Sequence, residues 1–274
     1  MTRFVFGLNR ITFHRRITFA LYLVWLLLSP CLARERGSST AQHSAGGTYS
    51  NTLLTMALDS LDGLDIHAAA EKGLDLVKFT ADVADYRGRR ALHLLNDDSV
   101  IVKGNKTGGQ SLAIIKMSDF QDGAIEVDVV GLPRPGSAPD TRGFVGLAFH
   151  VQDGGSRFEA FYLRFTNGRA EDQLRRNHAA QYVSEPDFPW FRLREENPGV
   201  YESYVDIEPR AWTKLKVVVA GTKAQLYVNG AAQPCLIVND LKLGDTHGQI
   251  ALWDGSDTEA YFSNLRVRVT EGKK

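Results

Sequence analysis

Four residues of this chain have side chains suited to a polyhydroxylated ligand: His150, Tyr162, Arg164 and Trp253. Alternation in Phe144–Val151 puts Val145, Leu147, Phe149 and Val151 on one face of a strand, with Phe144, Gly146, Ala148 and His150 on the other. The next apolar stretch sets Phe161, Leu163 and Phe165 against Phe158, Ala160, Tyr162 and Arg164. Two neighbouring strands then share a face of small residues that also carries His150, Tyr162 and Arg164. Small side chains leave space above a sheet, and polar groups converging there orient a ligand. Trp253 alternates onto the same face, where an indole suits the apolar C–H side of a sugar. The same pattern equally allows Tyr162 and Trp253 as core of a second layer, Arg164 as a surface charge and His150 as a structural histidine.

A second set of candidates lies in Arg175–Arg210, a stretch with six aromatics and four prolines. It contributes Arg176, His178, Gln181, Tyr182, Trp190, Arg194 and Glu202. Arginine and glutamine present planar donor groups that fit vicinal hydroxyls or a carbonyl oxygen, and the aromatic rings offer stacking surfaces. A loop this long in a compact domain is functional or disordered, and its aromatic content argues for ordered packing. The expectation is one long ordered loop that walls or covers a site. The alternative is a solvated charge run pinned by Pro186, Pro189 and Pro198.

Other signals are weaker. Glu126-Val127-Asp128-Val129 is similar to the acidic strand of laminarinase-type glycosidases, but Val130 and Gly131 stand where a second Glu belongs, so a two-carboxylate mechanism lacks a partner there. Asp254-Gly255-Ser256-Asp257 and Asn96-Asp97-Asp98 fit either a calcium ion or plain turns, and calcium is the one cofactor the sequence suggests. Asn105-Lys106-Thr107 is a glycosylation sequon, meaningful in a eukaryotic secretory pathway. No phosphate loop, dinucleotide fingerprint, clustered Cys/His metal site or serine-nucleophile motif occurs.

The elements that must position these residues are strands. Val77, Phe79, Ala81 and Val83 alternate with polar residues, Arg87-Gly88 offers a turn, and Ala91, His93 and Leu95 resume the pattern. Further strands are expected at Ile125–Val129, Phe144–Val151, Phe158–Phe165, Leu215–Ala220, Gln225–Val228, Gln249–Trp253 and Phe262–Val269, with turns at Asn167-Gly168 and Asn229-Gly230. Between Asn51 and Lys72, Leu53, Leu54, Ala57, Leu58 and Leu61 recur at helical spacing and suggest a short introductory helix. The expected fold is all-β, an antiparallel β-sandwich, in a single domain spanning residues 51–274.

Upstream, Ile17–Leu28 is an apolar run preceded by Arg3, Arg10, Arg15 and Arg16 and followed by Cys31-Leu32-Ala33. This reads as a secretory signal over residues 1–33; an uncleaved anchor is the alternative, against which the run argues by falling short of the ~20 residues that span a bilayer. Leu28-Ser29-Pro30-Cys31 is also similar to a lipobox, against which the proline argues. Residues 34–50 are small and polar, as in a flexible linker. The chain balances 32 basic against 32 acidic residues, and loss of the leader removes four of the arginines, leaving a mildly acidic surface. Nucleic acid is therefore an unexpected partner. Cleavage also removes Cys31 and leaves Cys235 alone in an apolar stretch, so no internal disulfide is expected and a buried, inert thiol is. The expected location is secreted or periplasmic, with no membrane contact after cleavage. Oligomeric state is not written in the sequence.

The closing segments Ala211-Trp-Thr-Lys-Leu-Lys-Val-Val-Val, Ala224-Gln-Leu-Tyr-Val-Asn-Gly, Gly248-Gln-Ile-Ala-Leu-Trp and Tyr261-Phe-Ser-Asn-Leu-Arg-Val resemble the last strands of concanavalin A-like (laminin G-type) jelly-roll sandwiches. Asp119-Phe120-Gln-Asp-Gly-Ala-Ile-Glu-Val-Asp-Val and Gly143-Phe-Val-Gly-Leu-Ala-Phe-His resemble the bacterial exported 3-keto-disaccharide hydrolases, over roughly residues 75–270. His150 and Glu159–Arg164 depart from that family's usual pattern, and Arg176–Trp190 looks like a mark of a divergent branch. The resemblance implies a carbohydrate substrate and an elimination: a 3-keto group acidifies the C2 proton, so a base and an oxyanion stabiliser suffice. On that footing His178 is the base, and Arg164 or Arg176 meets the enolate charge. His150, Tyr162, Gln181, Tyr182, Trp190, Arg194, Glu202 and Trp253 would hold the sugar. Catalysis, non-catalytic carbohydrate binding and laminin G-type protein binding all remain open on the sequence.

Overall fold

The computed structural model describes residues 51–56, 73–96 and 111–270. The leader, the linker, Asp97, Asp98, the sequon and residues 57–72 lie outside them. Fifteen strands are present among the described residues: β1 (Asn51–Met56), β2 (Leu74–Val77), β3 (Phe79–Tyr86), β4 (Arg89–Asn96), β5 (Ser111–Phe120), β6 (Asp122–Pro133), β7 (Phe144–Gln152), β8 (Arg157–Arg164), β9 (Ala180–Glu185), β10 (Glu202–Ser203), β11 (Thr213–Ala220), β12 (Lys223–Val228), β13 (Leu236–Val238), β14 (Gly248–Asp254) and β15 (Thr258–Thr270). Two short helices interrupt them, α1 (Gln173–Asn177) and α2 (Trp190–Glu196).

The strands form two antiparallel sheets. The first runs β13-β12-β11-β6-β15-β4-β3, with β1 also on β15; the second runs β10-β9-β8-β7-β14-β5-β2. Their inner faces close on one core that includes Phe120, Ile125, Leu147, Phe161, Leu215 and Phe262. This is the expected β-sandwich. Its cause is the two-residue period: in β11, Thr213, Leu215, Val217 and Val219 are buried while Lys214 and Ala220 face water.

Three details depart from the expectation. Asn51–Met56 is a strand paired with Met56 opposite Leu265, so the helical spacing of its leucines yields to the unpaired edge of β15. The alternating run from Val77 to Val83 breaks at Lys78, whose φ of 60° turns the chain from the second sheet into the first. Most of all, Arg175–Arg210 is not a loop: β9 and β10 extend the second sheet, with Phe158–Leu163 of β8 paired along β9 and the helices on either side. The Arg87-Gly88 turn forms as expected, with both residues at positive φ between β3 and β4.

Candidate functional site

The outer face of the second sheet is lined by Leu112, Ile114, Ala148, Ala160, Tyr162 and Trp253, with Phe144 and Trp190 packed against them. Gly146 lies in register between Tyr162 on β8 and Trp253 on β14. A Cβ there would fall 2.1 Å from the Phe161 carbonyl oxygen, and its absence lets the two flanking rings lean together and stack at 4.5 Å. Both rings are nearly fully buried, so Tyr162 and Trp253 pack on each other instead of standing open for a sugar.

Arg164 lies beside them and is also buried. Its Nη1 donates to the His178 carbonyl oxygen at 2.9 Å, and Nη2 donates to the Tyr162 hydroxyl at 3.0 Å and to Gln181 Oε1 at 3.2 Å. The Gln181 amide in turn donates to the carbonyls of Tyr182 and Tyr201. Burial lowers the Arg164 pKa and raises the Tyr162 phenol to about 12, so the hydroxyl stays protonated beneath the site. Arg164 thus fixes the backbone that carries His178 and is not itself exposed to a ligand, which corrects its assignment as an enolate partner.

Two expected site residues lie elsewhere. His150 has φ of 51° at a bulge where the β7–β8 register slips between Phe149 and Gln152, and this turns its ring inward beside Phe149. There Nδ1 meets Glu159 Oε2 at 2.9 Å and Nε2 meets the Gln121 carbonyl at 3.0 Å, both side chains being fully buried. Close packing of Gly248 against the His150 and Val151 backbone permits the bulge. Tyr182 also points inward, because it follows the outward Gln181; its hydroxyl donates to Glu159 Oε1 at 2.7 Å and accepts from the Lys242 amide. His150 and Tyr182 belong to a sealed network between the sheets and do not reach the outer face.

Of the remaining candidates, His178, Arg194 and Glu202 converge at the β9–β10 edge, around an open cleft of about 640 Å³. Its wall includes Asn177, His178, Arg194, Glu202, Leu174 and Tyr204. His178 caps the C-terminal end of α1, whose N-terminus is closed by the Asp172 carboxylate accepting from the Leu174 and Arg175 amides. Arg194 projects from α2 and clamps Glu202 of β10, with Nε 3.0 Å and Nη2 2.7 Å from Oε2. His178 Nε2 stands 3.0 Å from Glu202 Oε1. The His178 pKa is lowered chiefly by burial, against the opposing pull of Glu202, with Arg194 and Arg164 lowering it further. A neutral imidazole donating from Nε2 to Glu202 leaves Nδ1 as the basic nitrogen. An imidazole held in this way by a carboxylate has the geometry that general-base chemistry requires.

Trp190, packed against the outer-face cluster, carries the Arg194 guanidinium over its ring at 4.8 Å. Arg176 reaches the rim through Tyr204, donating to its hydroxyl at 3.0 Å. Leu174, Val200 and Tyr204 are the exposed large apolar residues of this lobe. Leu174, Tyr204 and Asn177 escaped the sequence reading; an apolar residue inside the polar run Asp172-Gln-Leu-Arg-Arg was the available signal. Among the described residues no group of three or more His, Cys, Asp or Glu is arranged for a metal ion. Asp254 and Asn96, from the two calcium-or-turn segments, meet in a buried hydrogen bond between the sheets.

Residues 71–268 match the family of 3-keto-alpha-glucoside-1,2-lyase-like domains. No curated protein matches the chain. Among solved structures, the chain is similar to a carbohydrate binding module from Bacillus subtilis at 14% identity, covering 70% of this chain and 96% of that one with a TM-score of 0.43. A Bacillus subtilis protein of unknown function with a galectin-like fold shows 11% identity, 82% and 100% coverage and a TM-score of 0.49. A galectin from Caenorhabditis elegans shows 11% identity, 59% and 91% coverage and a TM-score of 0.35. The two-sheet architecture is read from the strand pairing itself, and with well over half of its length matched, the chain belongs to the 3-keto-alpha-glucoside-1,2-lyase-like domain family.

Proposed function

We propose that the protein is an exported carbohydrate-active lyase or hydrolase that cleaves 3-keto-glycosides in the cleft at the β9–β10 edge. The observation that carries this reading is the His178–Glu202–Arg194 arrangement, in which a neutral histidine is held by a carboxylate that an arginine holds in turn. His178 Nδ1 takes the C2 proton of the substrate. The electron pair of that C–H bond passes to the C3 oxygen as an enolate. Collapse of the enolate restores the C3 carbonyl, forms the C1–C2 double bond and breaks the C1–O glycosidic bond, and the departing oxygen accepts the proton that His178 took from C2; water then adds across the double bond, its hydroxyl to C1 and its proton to C2, to give the hydrolysed sugar. Nε and Nη2 of Arg194 are spent on Glu202, which leaves Nη1 to meet the developing enolate charge. Leu174 and Tyr204 supply the apolar rim against which a sugar ring lies. Export rests on the Arg-preceded apolar run Ile17–Leu28.

A non-catalytic carbohydrate-binding role is the second reading, favoured by the openness of the cleft and by the exposed Tyr204 ring on its wall. Incubation of the purified protein with glycosides and their 3-keto derivatives, beside His178→Ala, separates the two. Sugar release that depends on His178 supports the lyase; saturable binding without release leaves a lectin-like module. N-terminal sequencing of the secreted protein tests cleavage after Ala33.

A further inference from the structure

We infer that the cleft selects glycans bearing an anionic group, a carboxylate or a sulfate ester, next to the sugar that it holds. This rests on the reading of the cleft as a carbohydrate site and adds the charge of its ligand. Glu202 is the one acid on the cleft wall, and both its oxygens are engaged, by Arg194 and by His178. The donors are not similarly spent. Asn177 Oδ1 accepts from Gln173 Nε2 at 2.8 Å, which leaves the Asn177 amide NH₂ as a donor on the wall.

Arg176 at the rim is hydrogen-bonded to the Tyr204 hydroxyl and stacked over that ring at 5.1 Å, and among the described residues no carboxylate lies within ion-pair distance of it. Arg164, nine-tenths buried behind His178, spends its hydrogen bonds on neutral oxygens. Arg175 on the same turn donates to Asn167 and Thr166. Of the nearby acids, Asp172 caps α1, and Asp206 and Glu208 pair with Arg169. The cleft is therefore rich in donors, and at its rim the Arg176 guanidinium, whose partners are a hydroxyl and a ring, gains from an anion. A guanidinium and a side-chain amide suit the planar oxygens of a carboxylate and the oxygens of a sulfate alike.

The test is calorimetric binding of the full protein to three oligosaccharides of equal length: neutral, uronic acid-containing, and sulfated. The expected result is at least roughly tenfold tighter binding of one or both anionic glycans than of the neutral one. That ratio should collapse toward one in Arg176→Gln and at about 1 M salt. Preference for the uronate over the sulfate, or the reverse, identifies the group. Equal affinity for neutral and anionic glycans overturns the inference and leaves the carbohydrate site standing. An anionic preference unchanged in Arg176→Gln removes this cleft as its source. Failure of all three glycans to bind, together with no cleavage of 3-keto-glycosides, overturns both readings.

Discussion

Two histidine–glutamate pairs in this domain have nearly the same internal geometry and opposite surroundings. His150 and Glu159 meet at 2.9 Å with neither side chain exposed, while His178 and Glu202 meet at 3.0 Å on the wall of a cleft, with the imidazole 18% exposed. The inner pair is saturated: its imidazole also contacts a carbonyl, and its carboxylate also accepts from Tyr182 and the Leu243 amide. It ties β7 and β8 to β9 and to the segment that leads into β14. In the outer pair the imidazole meets Glu202 through Nε2, and the residue lines the cleft. The inner pair thus has the features of a strut, and the proposed function makes the outer one a reagent.

The largest expected effect breaks the inner pair. His150→Ala or Glu159→Gln leaves a buried polar group without its partner and should cost about 3–5 kcal/mol in denaturant unfolding. A loss below about 1 kcal/mol would show that the network does not brace the sandwich. Replacing the outer histidine should do the reverse: His178→Ala lowers turnover by about a hundredfold or more while changing stability by about 1 kcal/mol. Unfolding of that variant would make the outer pair a strut as well. Gly146→Ala, which forces a methyl against the Phe161 carbonyl, should cost about 1–3 kcal/mol and alter Trp253 fluorescence as the Tyr162–Trp253 stack opens; an unchanged spectrum contradicts the packing described.

The pH response sharpens the contrast further. Because folding lowers the His178 pKa below its ordinary 6.5, the neutral form is favoured in the folded protein. Its stability contribution is fully present above pH 6.5 and is lost as pH falls through the lower, folded value. Activity should decline over the same acidic interval, and His178→Ala should remove that limb from the stability curve. A rate that rises on acidification would require a protonated histidine and reverse its role. The smallest effect concerns Cys235, whose thiol burial pushes up to about 11: alkylation near neutral pH should be slow until the chain unfolds.

Much of the sandwich was legible in the sequence because alternation is a local property. β7, β8, β11, β14 and β15 fall where the period of two places them, and Arg87-Gly88 turns the chain where positive φ is required. The site was half legible. His178, Arg194 and Glu202 come from the expected segment and meet, and Arg164 and Tyr162 adjoin them from below. The long segment reads as a loop in the sequence and is not one, since β9 draws its pairing from β8 at residues that carry no strong strand signal. Leu174 and Tyr204 were overlooked because an exposed apolar residue looks, in sequence, like a core one.

The sequence by itself determined the sheet-forming period and the stock of His, Arg and Glu side chains. Which of them could meet a ligand was decided only by tertiary structure. A single bulge at His150 reverses the direction of one ring, and neither the bulge nor the close approach of Gly248 that permits it is encoded in residue type alone. Facing is inherited from the register of neighbouring strands, so a local pattern carries it only until that register slips.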